Sequence, residues 1–597
     1  MRRLVENYAD IMKRSQSIVR KSLENPSDSF SIVDPLAIGK AFNAAGMAML
    51  QDPQALAARQ VAWWGDYTRL VQSLWGPAAS SGVAPGSFGL SNASETSLPE
   101  SGEIKDRRFK DQVWAENAVF DFARRCYLLA ARHAREGAES VDGLDAATRE
   151  KFDFYLNQYV DAMSPSNFAA SNPQVLRRTL ETGGENLVHG LKQMLEDVER
   201  GGGELRVRMT DTDAFEPGVN VASAEGQVVY QNKLMQLIQY SPTTEKVHAR
   251  PLLIVPPWIN KFYILDLQPK NSFIRWAVGE GLTVFVVSWV NPDAAYADMD
   301  FEDYMKLGPL AALDAIEEAT GEKTVNAIGY CIGGTLLGAT LGYMKAKKDD
   351  RIASATFFAC MLDFSEVGEL SVFIDEEQIR RIERYSEKKG YLDGPQMASA
   401  FNLLRSNDLI WSFVINNYLM GEPPRAFDLL FWNSDATRMP KRMLSFYLRN
   451  MYQRNLLKEP GGITLDGEPI DIGKVTIPCY FVATHDDHIA PWKSSYMGAK
   501  VLGGGRKTRF VVGGSGHIAG IINPPAANKY GYRTNEAMPA SPDDWFAGAE
   551  QHEGSWWNDW MAWMRPKSGR KVAARQPGDG KLEVIEPAPG SYVKVRV

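Results

Sequence analysis

Glycines bracket a cysteine in Gly329-Tyr330-Cys331-Ile332-Gly333-Gly334. The apolar run 325–328 before it predicts a buried strand, and residues 335–344 after it predict a helix. A nucleophile on a sharp strand-to-helix turn of this kind stands out from the backbone, and the turn is strained enough to require residues without a Cβ around it. Thiolate chemistry follows from the residue type. A cysteine beside a histidine ionises near neutral pH because the imidazolium stabilises the charged form. Its attack on an acyl thioester yields another thioester, an exchange close to energy-neutral, so the acyl group stays activated for transfer. A serine would trap it as a lower-energy oxygen ester.

Two later loops supply partners. The run 477–483 leads into Thr484-His485-Asp486-Asp487-His488-Ile489, and 508–512 leads into Gly513-Gly514-Ser515-Gly516-His517-Ile518. Nucleophile, acid and histidine in that chain order, the last two on loops after strands, form a Cys-His-Asp set with His517 as general base. Asp486 and Asp487 can each supply the acid, and spacing does not separate them. Of the histidines flanking that pair, His488 is read as a substrate contact; His133, His189, His248 and His552 are read as structural or surface groups. The oxyanion is assigned to the backbone N–H of Ile332 and to one from the loop Pro256-Pro257-Trp258-Ile259-Asn260. Proline has no N–H, which leaves Trp258 or Ile259, with Ile259 preferred. Cys126, Cys360 and Cys479 sit in apolar surroundings as small buried hydrophobes, and no cysteine spacing suggests a metal or a disulfide framework.

Elements must position these groups. Strand-like runs at 228–230, 235–240, 252–255, 283–289, 325–328, 352–358, 477–483 and 508–512 include several continuous apolar stretches with helical patterns between them. That pattern predicts an α/β class: an α/β-hydrolase fold, with a mainly parallel central sheet covered on both faces. The gap between the strands at 352–358 and 477–483 far exceeds an ordinary crossover, so a cap is inserted at about 365–475. It is dense in aromatics, among them Trp411, Tyr418, Phe431, Trp432, Tyr447 and Tyr452, which could form its core or a water-excluding lid. The catalytic domain spans 204–597. A helical domain is expected at 103–203, a flexible linker at 77–102, and an amphipathic helical extension at 1–76 with a Met and Trp stripe.

At 597 residues the chain is long enough for several domains, and 44% hydrophobic with 23% charged residues is the composition of a globular protein. A net charge of −7 argues against nucleic acid as the main partner. No window has the 18 or so apolar residues of a membrane span, and the first residues carry charges where a signal peptide has an apolar core, so a cytoplasmic protein is expected.

From about Asp106 onward the sequence closely resembles the class I poly(3-hydroxyalkanoate) synthases. The resemblance runs through Ser164-Pro165-Ser166-Asn167-Phe168, Glu181-Thr182-Gly183-Gly184-Glu185, Pro256-Pro257-Trp258-Ile259-Asn260-Lys261, Gly329 to Gly334, Asp487-His488-Ile489-Ala490-Pro491-Trp492 and Gly516-His517-Ile518-Ala519-Gly520. It implies that Asp487 is the acid and His517 the base, and that Cys331 carries a growing polyester as a thioester. The implied donor is (R)-3-hydroxyacyl-CoA, most simply (R)-3-hydroxybutyryl-CoA, and no cofactor is needed beyond the CoA of the substrate. Arg405 and His488 match positions implied to face the CoA moiety. The resemblance also implies a homodimer working at the surface of polyester granules, where granule-coat proteins (phasins) are possible partners. Trp258 is bulkier than the residue relatives carry there, a departure that bears on pocket size. Competing readings are a hydrolase or depolymerase on the same fold, against which the cysteine and the aromatic insertion argue, and a non-catalytic granule-coat protein, against which the complete triad argues.

Overall fold

The computed structural model describes residues 13–14, 30–74, 106–505 and 507–596. The expected linker at 77–102, and most of the first 29 residues of the extension, lie outside them. The chain divides into two compact units, one of residues 1–209 with 405–425 and the other of residues 210–404 with 426–597.

The first unit is helical. Its helices include Pro35–Gln51, Pro53–Leu74, Ala118–Glu139, Ala146–Ala162 and Glu185–Arg200. Side-chain caps set several starts: Asp34 accepts from the Leu36 amide, Asn117 from Val119, and Asp145 from Thr148. Ala41, Ala45, Ala138 and Phe152 bury a small shared core. The sequence pattern placed 405–425 in the cap, but the segment packs with this unit through long-range pairs that periodicity does not register. Tyr418 Oη donates to Asp197 Oδ2 at 2.7 Å, and Asn186 Nδ2 donates to the Leu419 carbonyl at 2.7 Å. Gly190 makes room for the approach, since a Cβ there would stand 1.8 Å from the Tyr418 carbonyl oxygen.

The second unit is built on an eleven-stranded sheet. Its strands are β1 (Gly226–Gln231), β2 (Met235–Tyr240), β3 (Leu252–Val255), β4 (Val284–Trp289), β5 (Val325–Tyr330), β6 (Ile352–Phe358), β7 (Cys479–Thr484), β8 (Thr508–Gly513), β9 (Tyr532–Thr534), β10 (Glu550–His552) and β11 (Glu586–Pro587). The spatial order is β10-β9-β8-β7-β6-β5-β3-β4-β2-β1-β11. From β4 to β8 every neighbouring pair is parallel, and the flanking pairs are antiparallel. Strands β3, β4, β5 and β7 are buried at every position, as their unbroken apolar runs require. The strands β9, β10 and β11 at the two ends of the sheet have two or three residues each, too few to show a period. One face of the core gathers Ile238, Val286, Ile328 and Val482 against Trp556, Trp557 and Trp560.

Between β6 and β7 the second unit holds the helices Glu376–Lys389, Gly394–Leu403, Asp428–Ser434 and Lys441–Tyr447. Arg449 ties this part together, pairing with Glu383 at 2.7 Å and Glu376 at 3.0 Å.

Candidate active site

The turn between β5 and the helix Ile332–Lys347 is built for close approach. Cys331 takes φ 53° and ψ −126°, outside the regions L-residues favour, and its amide is anchored to the Phe358 carbonyl at 2.8 Å. A Cβ on Gly329 would lie 2.5 Å from Gly334 Cα, and one on Gly334 would lie 2.6 Å from Cys360 Sγ. Ile332 is the first helical residue, so its N–H precedes the intrahelical ladder and the positive helix end lies beside the sulfur.

The loops after β7 and β8 bring a carboxylate and an imidazole together. Asp487 Oδ2 lies 2.7 Å from His517 Nδ1, and Asp487 Oδ1 accepts the amides of Ile489 and Ala490, each at 2.9 Å. The carboxylate is fully buried and the imidazole nearly so, at 9% exposure. With Nδ1 held by Asp487, the other ring nitrogen is left for Cys331, which lines the same cavity. Burial alone would lower the His517 pKa. The negative charges of Asp487 and Cys331, with the Asp487 hydrogen bond, override it and hold the imidazolium well above its ordinary range. Asp486 points elsewhere: its carboxylate is 65% exposed and pairs with His485 Nδ1 at 2.8 Å. Geometry therefore separates two aspartates that spacing left equivalent.

Cys331 and His517 open onto an apolar cavity walled by Ile259, Phe401, Trp432, Ile489 and Ile518. Ile259 thus lies beside the nucleophile, and its carbonyl is pinned by the Thr437 amide at 3.1 Å. Trp258 turns the other way. It is 1% exposed, with its ring among Trp289, Phe301, Tyr304 and Tyr447, so its bulk fills core and does not line the cavity. His488 is half-buried beside Asp487 and does not line the cavity, whereas its neighbour Ile489 does. Arg405 belongs to the helical unit, where it is ion-paired with Asp408 and exposed.

Sequence reasoning passed over Tyr330. Its hydroxyl donates to the His517 carbonyl at 3.2 Å, and its ring stacks on the imidazole at 5.8 Å. The signal was present, since the residue before a nucleophile on a buried strand end must pack against whatever loop reaches that nucleophile. Tyr447, buried, and Tyr452, half-buried, belong to the same neighbourhood: desolvation first, then neighbouring charge that includes Cys331, raises both their pKa values. The insertion's aromatic density pointed to that cluster.

The strand order, the cysteine on its strained turn and the later Asp–His loops define an α/β-hydrolase-fold enzyme, and residues 258–524 match that fold family. Residues 105–277 match the family described as "Poly-beta-hydroxybutyrate polymerase (PhaC) N-terminus". A poly(3-hydroxyalkanoate) polymerase of Methylorubrum extorquens is 52% identical over 492 residues, covering 82% of this chain and 81% of that one. The poly(3-hydroxyalkanoate) polymerase subunit PhaC of Rhizobium meliloti is 50% identical, covering 83% and 81%. That of Cupriavidus necator is 45% identical, covering 83% and 84%. The chain belongs to the poly(3-hydroxyalkanoate) polymerase family.

Proposed function

We propose that this enzyme polymerises (R)-3-hydroxyacyl-CoA, in the first instance (R)-3-hydroxybutyryl-CoA, into polyester with release of CoA. The observation that carries the reading is the buried Asp487–His517 pair sharing one apolar cavity with Cys331. With the Cys331 proton already held on His517, Sγ attacks the thioester carbonyl carbon. The N–H groups of Ile332 and Ile259 are assigned to the developing oxyanion. The C–S bond to CoA breaks, CoA leaves as its thiol with the proton returned from His517, and the acyl group is left on Cys331. The 3-hydroxyl of a second unit then loses its proton to His517 and attacks that thioester. An ester bond forms, and Cys331 regains its thiol. The apolar walls disfavour water as the competing nucleophile.

The reaction needs no resident cofactor, because CoA arrives with the substrate. His488 and Arg405 are assigned to the CoA moiety as groups suited to phosphate. Since the product is insoluble, the site of action is the polyester granule in the cytoplasm, with the enzyme as a homodimer and phasins as neighbours. Among the described residues, no helix is long and apolar enough to cross a membrane.

The test is CoA release by purified Cys331→Ala, with products recovered from the wild type. Abolished release and insoluble polymer are expected. Release at the wild-type rate would remove Cys331 from its role, and soluble 3-hydroxy acid as the main product would establish the hydrolase instead.

A further inference from the structure

The loop after β3 is held from behind by buried charges that the chemistry above does not use. Lys261 is 2% exposed, and its Nζ donates to the Val595 carbonyl at 2.6 Å, an oxygen that also accepts from Asn291 Nδ2 at 3.2 Å. Asp435, also buried, accepts from Tyr263 Oη at 2.8 Å, and Arg596 Nε stands 3.7 Å from its other oxygen. The Arg596 guanidinium lies over the Phe431 ring at 4.6 Å.

The same residues stitch the cavity wall together. Thr437 donates its amide to the Ile259 carbonyl and its hydroxyl to the Trp258 carbonyl. Trp432 Nε1 donates to the Lys261 carbonyl at 2.7 Å, and the Arg438 amide donates to Asn291 Oδ1 at 3.0 Å. Ile259 and Trp432 line the same cavity as Cys331, so two of its walls meet at this knot. Burial pushes the Lys261 ammonium down to about 8 against the pull of Asp435, and pushes the Asp435 carboxyl up. Charges held at such a desolvation cost add little stability over apolar residues of similar size; what they add is a defined geometry.

We propose that Lys261 and Asp435, locked by the Val595–Arg596 segment, are positioning residues that set Ile259 and Trp432 against Cys331 during acyl transfer. The inference rests on the polymerase reading of the site. A loop displaced by about 1 Å costs on the order of 100-fold in rate when it carries a group aimed at the transition state, while substrate binding to the apolar walls changes little.

The experiment measures kcat and KM for CoA release from (R)-3-hydroxybutyryl-CoA with full-length Lys261→Met, Lys261→Arg and Arg596→Gln. Melting temperature and the rate of Cys331 alkylation by iodoacetamide are followed in each. Lys261→Met should lose about 10- to 100-fold in kcat with KM within about twofold. Cys331 alkylation should stay near the wild-type rate, because Asp487 and His517 are untouched. Lys261→Arg keeps the charge and should recover most of kcat. Arg596→Gln, which removes a partly exposed outer member, should give a smaller kcat loss and keeps the test open should Lys261→Met fail to fold. Wild-type kcat in folded Lys261→Met, or in Arg596→Gln where Lys261→Met does not fold, overturns the clamp. So does a kcat loss matched by an equal loss of folded protein. If Cys331→Ala still releases CoA, it is the polymerase reading that fails, whatever the clamp variants do.

Discussion

Gly333 lies so close to Val255 that a Cβ on it would stand 2.3 Å from the Val255 carbonyl oxygen, with the Pro256 carbonyl oxygen only 2.6 Å away. The helix that starts beside Cys331 therefore presses its first turn directly on the end of β3, where the loop carrying Ile259 begins. Substituting Gly333→Ala must separate the two backbones, because neither carbonyl can rotate out of a buried strand end. Overpacking of this kind costs roughly 1–3 kcal/mol. The variant should melt several degrees below the wild type, and the fraction that stays folded should release CoA more slowly, since separating the helix from β3 pulls apart the two assigned oxyanion donors. Calorimetry and CoA release on the same sample check both effects.

The contrast between Asp486 and Asp487 gives a sharper test of the site. Asp487→Asn leaves an amide where a buried carboxylate orients His517, and loss of that charge also withdraws the support for an imidazolium. A drop in kcat of about 10³- to 10⁴-fold is expected, in line with removing the acid of a comparable triad. Asp486→Asn alters an exposed carboxylate engaged only with His485, and its kcat should stay within about twofold of wild type. Equal losses in the two variants would remove Asp487 from its assigned role.

Much of this was legible in the amino-acid order, for physical reasons that differ by residue. Strands β3, β5 and β6 are central and covered on both faces, so their sequences are nearly uninterrupted apolar runs and their positions could be read from composition. The Cys331 turn was legible because its sterics exclude most residues around it. Residues 405–425 were misplaced because their anchors, such as Tyr418 on Asp197, lie some 200 positions away in the chain. Trp258 misled for a related cause: a large side chain in a loop that forms a cavity can face either way, and only the cage formed by Trp289, Tyr304 and Tyr447 shows which.

That orientation changes where chain-length preference should be engineered. Trimming Trp258 to alanine hollows out packed core at a cost of about 3–5 kcal/mol and should lower stability without extending the range of substrates. Phe401, on the helix Gly394–Leu403, does line the cavity. Phe401→Ala should raise kcat/KM for longer 3-hydroxyacyl-CoA relative to the four-carbon substrate, by about tenfold if one or two more methylenes find room. Competition assays with paired substrates, followed by analysis of polymer composition, measure that ratio.

The raised His517 pKa carries a consequence for stability as a function of pH. A histidine that holds its proton more tightly when folded stabilises the native state fully below its unfolded pKa, near 6.5, and loses that contribution as pH rises through the higher folded value. The cause is the negative charge of Asp487 and Cys331, which outweighs the cost of burying the imidazolium. His517→Gln removes the titrating group while keeping an amide able to bond Asp487. Its stability deficit relative to wild type should be largest below the unfolded pKa of about 6.5 and shrink as pH rises through the raised folded value. Urea melts of the two proteins from about pH 5 upward decide the matter: a deficit that grows with pH would show that the folded His517 binds its proton less tightly than the unfolded chain, with burial prevailing over the neighbouring charges.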